Sequence, residues 1–291
     1  MRGILLAGGS GTRLRPVTHV ASKQLLPVYN KPMIYYPLSV LMCADIREIL
    51  IITTPAFLET YRQLLGDGSW LGLDLQYAEQ PSPDGLADAL RIGSDFAGDE
   101  QIALILGDNI FYSHQLPTML MRERGHLDGC TLFGYPVADP ERYGIAVTDA
   151  DGTLIALEEK PEKPASNLAV TGLYFYDNDA LALARELTPS ARGELEITDL
   201  NNKFLEAGRA RLVDLGRGSA WFDTGTHDSL LDAATFVQLI EKRQGIRIAC
   251  IEEVAYRMDF IGADQLFELG RRTGGATDYG RYVMQLADAA V

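Results

Sequence analysis

Cysteine is scarce in this chain of 291 residues. The three present, Cys43, Cys130 and Cys250, are odd in number, far apart and in no CxxC pair, which supports neither a disulfide framework nor a zinc site. Long apolar runs are missing too. No stretch reaches the length of a membrane span, and the apolar start is too short for a secretory signal, so a reducing cytoplasm is the expected setting. Positive charge is in deficit: 26 Lys and Arg stand against 40 Asp and Glu, a formal net charge of −14. That balance argues against nucleic acid, whose phosphates recruit basic surfaces. Histidine numbers four. None of His19, His114, His126 and His227 falls in the glycine loop at 6–14 or within WFDTG at 221–225, so all four read as structural or surface residues.

One absence is local. No Asp or Glu precedes Asp45, whereas the same stretch holds Arg2, Arg13, Arg15, Lys23 and Lys31. In an acidic protein, an acid-free segment carrying five cations reads as an anion site.

What is present is ordinary globular composition, with 47% hydrophobic and 23% charged residues. Residues 3–7, 48–53 and 102–106 are continuous apolar, β-branched-rich runs, expected as strands buried on both faces. Between them, helices are expected at 57–65 and at 31–44, the latter opened by Lys31-Pro32; residues 75–78 read as extended. A further helix is expected at 85–92 behind an Asp84 N-cap. The alternation predicts a mainly parallel sheet covered on both sides. Strands at 131–135, 145–148, 154–158 and 169–176 suggest a small antiparallel or mixed extension with a second ligand surface. Helices resume at 178–187, 197–207 and 228–244, and a helical tail follows. The expected organisation is a Rossmann-like α/β domain at 1–245, in two parts of about 1–128 and 129–245, followed by a helical tail at 246–291.

The segment LAGGSGTRL at 6–14 follows a strand, where backbone N–H groups can close around phosphates. A dinucleotide fingerprint beginning at Gly9 needs a third glycine where Leu14 stands, and a Walker A loop needs Gly-Lys-Ser/Thr, which is absent. What remains is a glycine loop whose positive charge arrives as Arg13 and then Lys23.

That loop, with SKQLLPV at 22–28 and KPMIYYPL at 31–38, resembles the glucose-1-phosphate thymidylyltransferases of the sugar nucleotidyltransferase superfamily. The resemblance continues through AEQPSPDGLADA at 78–89, LGDNIFY at 106–112, LEEKPEKPASN at 157–167, VTGLYFYDN at 170–178, RGELEITDLN at 192–201 and WFDTGTHDSLLDA at 221–233. It spans nearly the whole chain. It implies the nucleotide-diphospho-sugar transferase fold and attack of glucose 1-phosphate on the α-phosphorus of dTTP, giving dTDP-glucose and pyrophosphate. The resemblance also implies that this is the first step of dTDP-L-rhamnose or related deoxysugar synthesis for cell-surface polysaccharide.

By that resemblance, Leu6, Ala7, Gly8, Gly9, Ser10, Gly11 and Thr12 line the nucleotide with Arg13, Lys23 and Gln24, and Gln80, Pro83 and Gly85 meet the base. The sugar phosphate meets Asp108, Tyr143, Gly144, Glu159, Lys160, Val170, Thr171, Arg192, Trp221 and Asp223. Asp108 and Asp223 bind Mg²⁺, and Arg13, Lys23, Lys160, Asp108 and Asp223 carry the catalysis. A homotetramer is implied, with feedback binding of a dTDP-sugar near residues 113–116 and 250–257. Two other readings stay open: a uridylyl-, cytidylyl- or adenylyltransferase on a hexose 1-phosphate, and a non-catalytic nucleotide-sugar sensor on the same fold.

Overall fold

The apolar runs pair side by side in the computed structural model, which describes residues 1–9 and 11–289. In chain order the strands are β1 (Arg2–Ala7), β2 (Pro27–Val28), β3 (Lys31–Pro32), β4 (Glu48–Thr53), β5 (Asp74–Glu79), β6 (Ile102–Leu106), β7 (Asn109–Tyr112), β8 (Cys130–Pro136), β9 (Gly144–Thr148), β10 (Leu154–Glu159), β11 (Leu168–Tyr176), β12 (Ala210–Asp214) and β13 (Ala220–Asp223). The helices are α1 (Tyr35–Cys43), α2 (Leu58–Leu65), α3 (Asp88–Ile92), α4 (Ser94–Ala97), α5 (Leu116–Gly125), α6 (Asp179–Glu186), α7 (Ile197–Glu206), α8 (His227–Gln244), α9 (Ile251–Arg257), α10 (Ala263–Arg272) and α11 (Asp278–Asp288).

Among the described residues, nine strands form one mixed sheet along the path β10-β9-β11-β6-β1-β4-β5, with β8 beside β11 and β12 beside β8. The β6-β1-β4-β5 half is parallel throughout. β11 joins it antiparallel to β6, and the other half continues with antiparallel pairs except for parallel β12. From β1 the chain builds outward through β4 and β5, then returns to place β6 on the other side of β1. The order reverses between β1 and β6, and the crevice at the carboxyl ends of two such strands is where open α/β sheets bind ligands.

Strand periodicity sorts the core onto two faces. Leu5, Ile51, Ile105 and Leu173 face α1, α5 and the C-terminal helices, while Ile4, Ile52, Leu104 and Tyr174 face α3, α6 and α7. Ile4, Ile51 and Ile105 are fully buried, each stabilising the fold by about 1.5–3 kcal/mol relative to exposure. A third cluster, including Met33, Tyr36, Ile110 and Val237, seats α8 against the β2–β3 hairpin and β7. α8 is well bounded: Thr226 and Ser229 form a capping box at its start, and left-handed Gly245 ends it.

Two local expectations are corrected. Lys31-Pro32 does not open a helix; it pairs antiparallel with Pro27-Val28, and α1 begins at Tyr35. Asp84 is no N-cap, because the helix starts at Asp88 and the Asp84 carbonyl instead accepts from Leu195 N at 2.7 Å.

The acid-free patch is also smaller than its cation count. Arg2 is spent on Glu48 at 2.9 Å, and Lys31, 4% exposed, is buried against Glu241 at 2.9 Å. Arg13 and Lys23 are the cations of that stretch that border the glycine-loop cavity.

Candidate active site

The glycine loop leaves β1 and the Gly107-Asp108 turn leaves β6, so register brings them together at the switch point. Gly107 N donates to Leu6 O at 2.8 Å, and a Cβ on Gly107 would stand 2.9 Å from that same oxygen. Only glycine lets the two turns approach this closely. Gly8, Gly9, Gly11, Thr12, Arg13, Lys23, Gln24, Asp108 and Gly225 line one cavity of about 220 Å³. Leu6 and Ala7 lie buried beneath it, and Ser10 falls outside the described residues.

Lys23 opens a 3₁₀ turn and is largely buried, with its ammonium donating to Asp108 Oδ2. Gln24 braces the loop from below: its amide donates to Gly8 O at 3.2 Å, and its oxygen accepts from Ser22 Oγ at 2.9 Å. Arg13 is exposed, and its guanidinium lies over Gly225, where an added Cβ would sit 3.2 Å from it.

The two acids are spaced by main chain. β7 pairs antiparallel with β13, setting Asn109 opposite Asp223, and Thr224 extends the contact by donating from N (3.2 Å) and Oγ1 (2.8 Å) to Asp108 O. Asn109, 2% exposed, ties the neighbourhood together. Its amide donates to Asp108 Oδ1 at 2.9 Å, and its oxygen accepts from Trp221 Nε1 at 2.6 Å and Gly172 N at 3.0 Å. Gly172 sits where the β11–β8 register shifts, and this irregularity aims the Gly172 N–H at Asn109.

Environment drives the two carboxyls apart. Burial pushes Asp108 up, but the Lys23 charge and the hydrogen bonds from Lys23 and Asn109 outweigh it and hold the group below its ordinary range. Burial raises Asp223, the Asp108 charge adds to the rise, and Arg142 and Lys23 only partly offset it. The donors here are two hard carboxylates, and no cluster of three or more His, Cys, Asp or Glu occurs among the described residues. This set suits a hard divalent cation that completes its shell with phosphate oxygens and water, and not a zinc-type site.

The loop that carries Gly85 is stitched to the segment around Leu195. Gly85 has φ +111°, and a Cβ there would lie 2.4 Å from Leu195 N and O, while Ala87 N donates to Leu195 O at 3.2 Å. Gln80, 5% exposed, donates through Nε2 to Asp88 Oδ2 at 3.0 Å and turns Oε1 toward Gly8. Pro83 is exposed on the same loop.

Beyond the acids, Glu159 accepts from Thr198 Oγ1 at 2.6 Å and Arg192 at 3.0 Å, with Lys160 Nζ 3.4 Å away. Arg192 is anchored by Glu196 at 2.7 Å. Lys160 holds φ +42°, a left-handed backbone that few side chains adopt, fixed by its N–H to Tyr143 O at 3.0 Å. Tyr143 packs edge-on to Trp221, with ring centroids 5.2 Å apart. Gly144 leaves room beside Glu159, and Val170 is half-buried. Thr171 is fully buried with its hydroxyl donating to Phe133 O at 2.9 Å, so its side chain faces the sheet.

Sequence reasoning missed Arg142, whose guanidinium reaches Asp223 Oδ2 at 3.2 Å and Asp139 at 2.5 Å. It also missed the bracing roles of Asn109, Thr224, Thr198 and Glu196. Asn109 was in plain view beside Asp108, whereas nothing local marks Arg142 except its place before Tyr143.

Residues 2–239 match the family model described as nucleotidyl transferase. The chain is 57% identical over 286 residues to the glucose-1-phosphate thymidylyltransferase of Xanthomonas campestris pv. campestris, covering 98% of this chain and 97% of that protein. Among solved structures it is similar to a glucose-1-phosphate thymidylyltransferase from Bacillus anthracis in complex with a sucrose. The TM-score is 0.75 at 41% identity, over 81% of this chain and 94% of that one. A UDP-glucose pyrophosphorylase complexed with UDP-glucose matches with TM-score 0.71 at 25% identity, over 82% of this chain and 98% of that one. No helix of the described residues is long and apolar enough to cross a membrane.

Proposed function

The chain belongs to the nucleotidyl transferase family, among its glucose-1-phosphate thymidylyltransferases, and on that premise we propose how its residues join dTTP to glucose 1-phosphate. The observation that carries the reading is the crevice between β1 and β6. There the glycine loop, Arg13, Lys23 and Asp108 line one cavity, while Asp223 lines a separate cleft with Arg142, Tyr143 and Trp221.

The reacting oxygen belongs to a phosphate monoester, which is largely dianionic at neutral pH and needs no general base. It attacks the α-phosphorus, the bond to the bridging β-phosphate oxygen breaks, and pyrophosphate leaves toward the loop. Loop N–H groups, Arg13 and Lys23 hold the triphosphate and stabilise the charge on the leaving group. Lys160 and Arg192 hold the sugar phosphate, Glu159 accepts from a sugar hydroxyl, and Tyr143 and Trp221 wall the ring. Such work is alignment of two anions, worth several kcal/mol when the attack line is fixed. Asp108 and Asp223 would hold Mg²⁺, which when bound neutralises phosphate oxygens of both substrates.

Gln80 supplies the base preference. Its amide nitrogen is committed to Asp88, so only Oε1 is free, and an acceptor there suits the N3–H of thymine or uracil while opposing the N3 lone pair of cytosine. Thymine over uracil rests on a methyl group, a weak discriminator of about 1–3 kcal/mol.

The test is pyrophosphate release from glucose 1-phosphate with dTTP, UTP, CTP and ATP in turn. The expected order places dTTP first, UTP next and CTP last or near it, with activity abolished by chelating Mg²⁺. A tenfold preference for CTP or ATP, or no release with any nucleotide, would overturn the reading. We place the enzyme in the cytoplasm, where its nucleotide substrate is made and its three free cysteines stay reduced. We also assign residues 1–245 to catalysis and 246–291 to the contacts of a homotetramer that a dTDP-sugar regulates, which light scattering with and without dTDP-sugar examines.

A further inference from the structure

A cavity of about 540 Å³ lies between the C-terminal helices and the start of α1, far larger than the glycine-loop cavity of about 220 Å³ or the sugar-side cleft of about 260 Å³. It shares no lining residue with either, and its size suits a small organic molecule. The catalytic reading makes no use of it.

Its walls are aromatic on three sides: Tyr35 opens α1, Trp70 lies in the turn after α2, and Tyr279 belongs to α11. Leu64 and Leu269 complete the apolar surface. Three aromatic walls from distant segments favour a flat body, which aromatic rings contact broadly at low entropic cost.

Two buried ionisable groups nearby are already matched. Lys31 donates to Asn30 Oδ1 at 2.6 Å and to Glu241 at 2.9 Å, and Glu252 accepts from the Tyr279 hydroxyl at 2.6 Å. Burial also raises the Glu252 carboxyl above its ordinary range, which favours its neutral form and lessens repulsion of an anion.

Arg272 differs from the other charges here. It stands in the last turn of α10 at the cavity and makes no ion pair or side-chain hydrogen bond among the described residues. Its neighbours Arg271 and Arg281 are engaged by Glu268 at 2.8 Å and by Asp278. In a chain of net charge −14, a guanidinium without a carboxylate partner beside an aromatic cavity is a ready fork for a planar anion.

We propose that this cavity is a further small-molecule site, independent of the catalytic crevice and sharing only Glu252 with the segments assigned to dTDP-sugar feedback. Its ligand is a flat aromatic body bearing one carboxylate, sulfonate or phosphate that reaches Arg272.

The probe is 8-anilinonaphthalene-1-sulfonate, titrated into the full chain while following Trp70 emission and probe fluorescence. The expected result is one saturable site per chain, quenching of Trp70 that is lost in Trp70→Phe, and affinity unchanged by saturating dTTP and glucose 1-phosphate without metal. Arg272→Gln should weaken binding about tenfold, and Thr273→Trp, an exposed position at the mouth, should abolish it by filling the space. Both variants lie at exposed positions, and unchanged melting temperature and turnover establish that they fold. Displacement of the probe by dTTP or glucose 1-phosphate would overturn the proposal, because the probe would then sit in the crevice. Wild-type affinity in both folded variants, or no saturable binding, would overturn it equally.

Discussion

Arg142 lies across from Asp223, its guanidinium nitrogen 3.2 Å from Oδ2, while Asp139 holds the other end of the fork at 2.5 Å. The arginine is itself pinned, so it fixes the direction of the Asp223 carboxylate and opposes the repulsion from Asp108.

Replacing Arg142 with alanine should therefore lower kcat about 10- to 100-fold, the usual cost of losing a partner that orients a metal-binding group. The Mg²⁺ concentration for half-maximal rate should rise as well. Arg142→Lys keeps the charge without the fork and should recover only part of the loss. Wild-type Mg²⁺ dependence in the alanine variant, measured by pyrophosphate release, would remove this role.

Lys23 is expected to matter twice. In the proposed mechanism its ammonium stabilises the leaving pyrophosphate, so Lys23→Met should reduce kcat by about 10²–10³-fold. It also neutralises Asp108 in a partly buried pair, and breaking such a pair should cost on the order of a few kcal/mol of stability. Arg13→Ala separates the two effects: Arg13 is exposed, so turnover should collapse while the thermal melt stays within about 1–2 °C of wild type. An Arg13→Ala enzyme with near wild-type kcat would count against the phosphate assignment.

Gly85→Ala tests the stitching of the base loop to the Leu195 segment. The left-handed φ of +111° and the 2.4 Å approach to Leu195 main chain leave no space for a methyl group. The two loops must part, so KM should rise for dTTP and for glucose 1-phosphate together. A rise for dTTP alone would mean the loops act independently.

Glu252→Gln should stabilise the protein at neutral pH and do little near pH 4. Burial, partly offset by the Tyr279 hydrogen bond, raises the Glu252 carboxyl above 4.5 in the folded chain. The folded state then holds a proton that the unfolded state releases, so stability falls as pH climbs from the unfolded value through the raised one. The glutamine removes that loss while still accepting from Tyr279. Thermal melts at pH 4, 6 and 8 should show the variant's advantage growing with pH, and a constant difference would refute the linkage.

The parallel half of the fold was legible because β1, β4 and β6 are continuous apolar runs buried on both faces. The helix start at Lys31 misled because proline suits a first helical turn equally well as the second strand of a tight hairpin, and pairing with Pro27-Val28 decides between them. β7 and β13 are four residues each, too short for periodicity to reveal. Long-range charge was the least legible. Lys31 looked like part of an anion patch because its partner Glu241 stands 210 residues away, and Arg142 looked ordinary because Asp223 stands 81 residues away. Periodicity reports which face a residue occupies, not which distant residue meets it.

The β7–β13 ladder has a consequence for inheritance. The distance between the two acids is stored in main-chain hydrogen bonds, which any pair of residues can make. Ladder side chains that brace nothing in the site, unlike Asn109 and Trp221, are therefore free to drift from one lineage to another without respacing the carboxylates. Substrate preference can be rewritten over generations while the chemistry underneath is passed on intact.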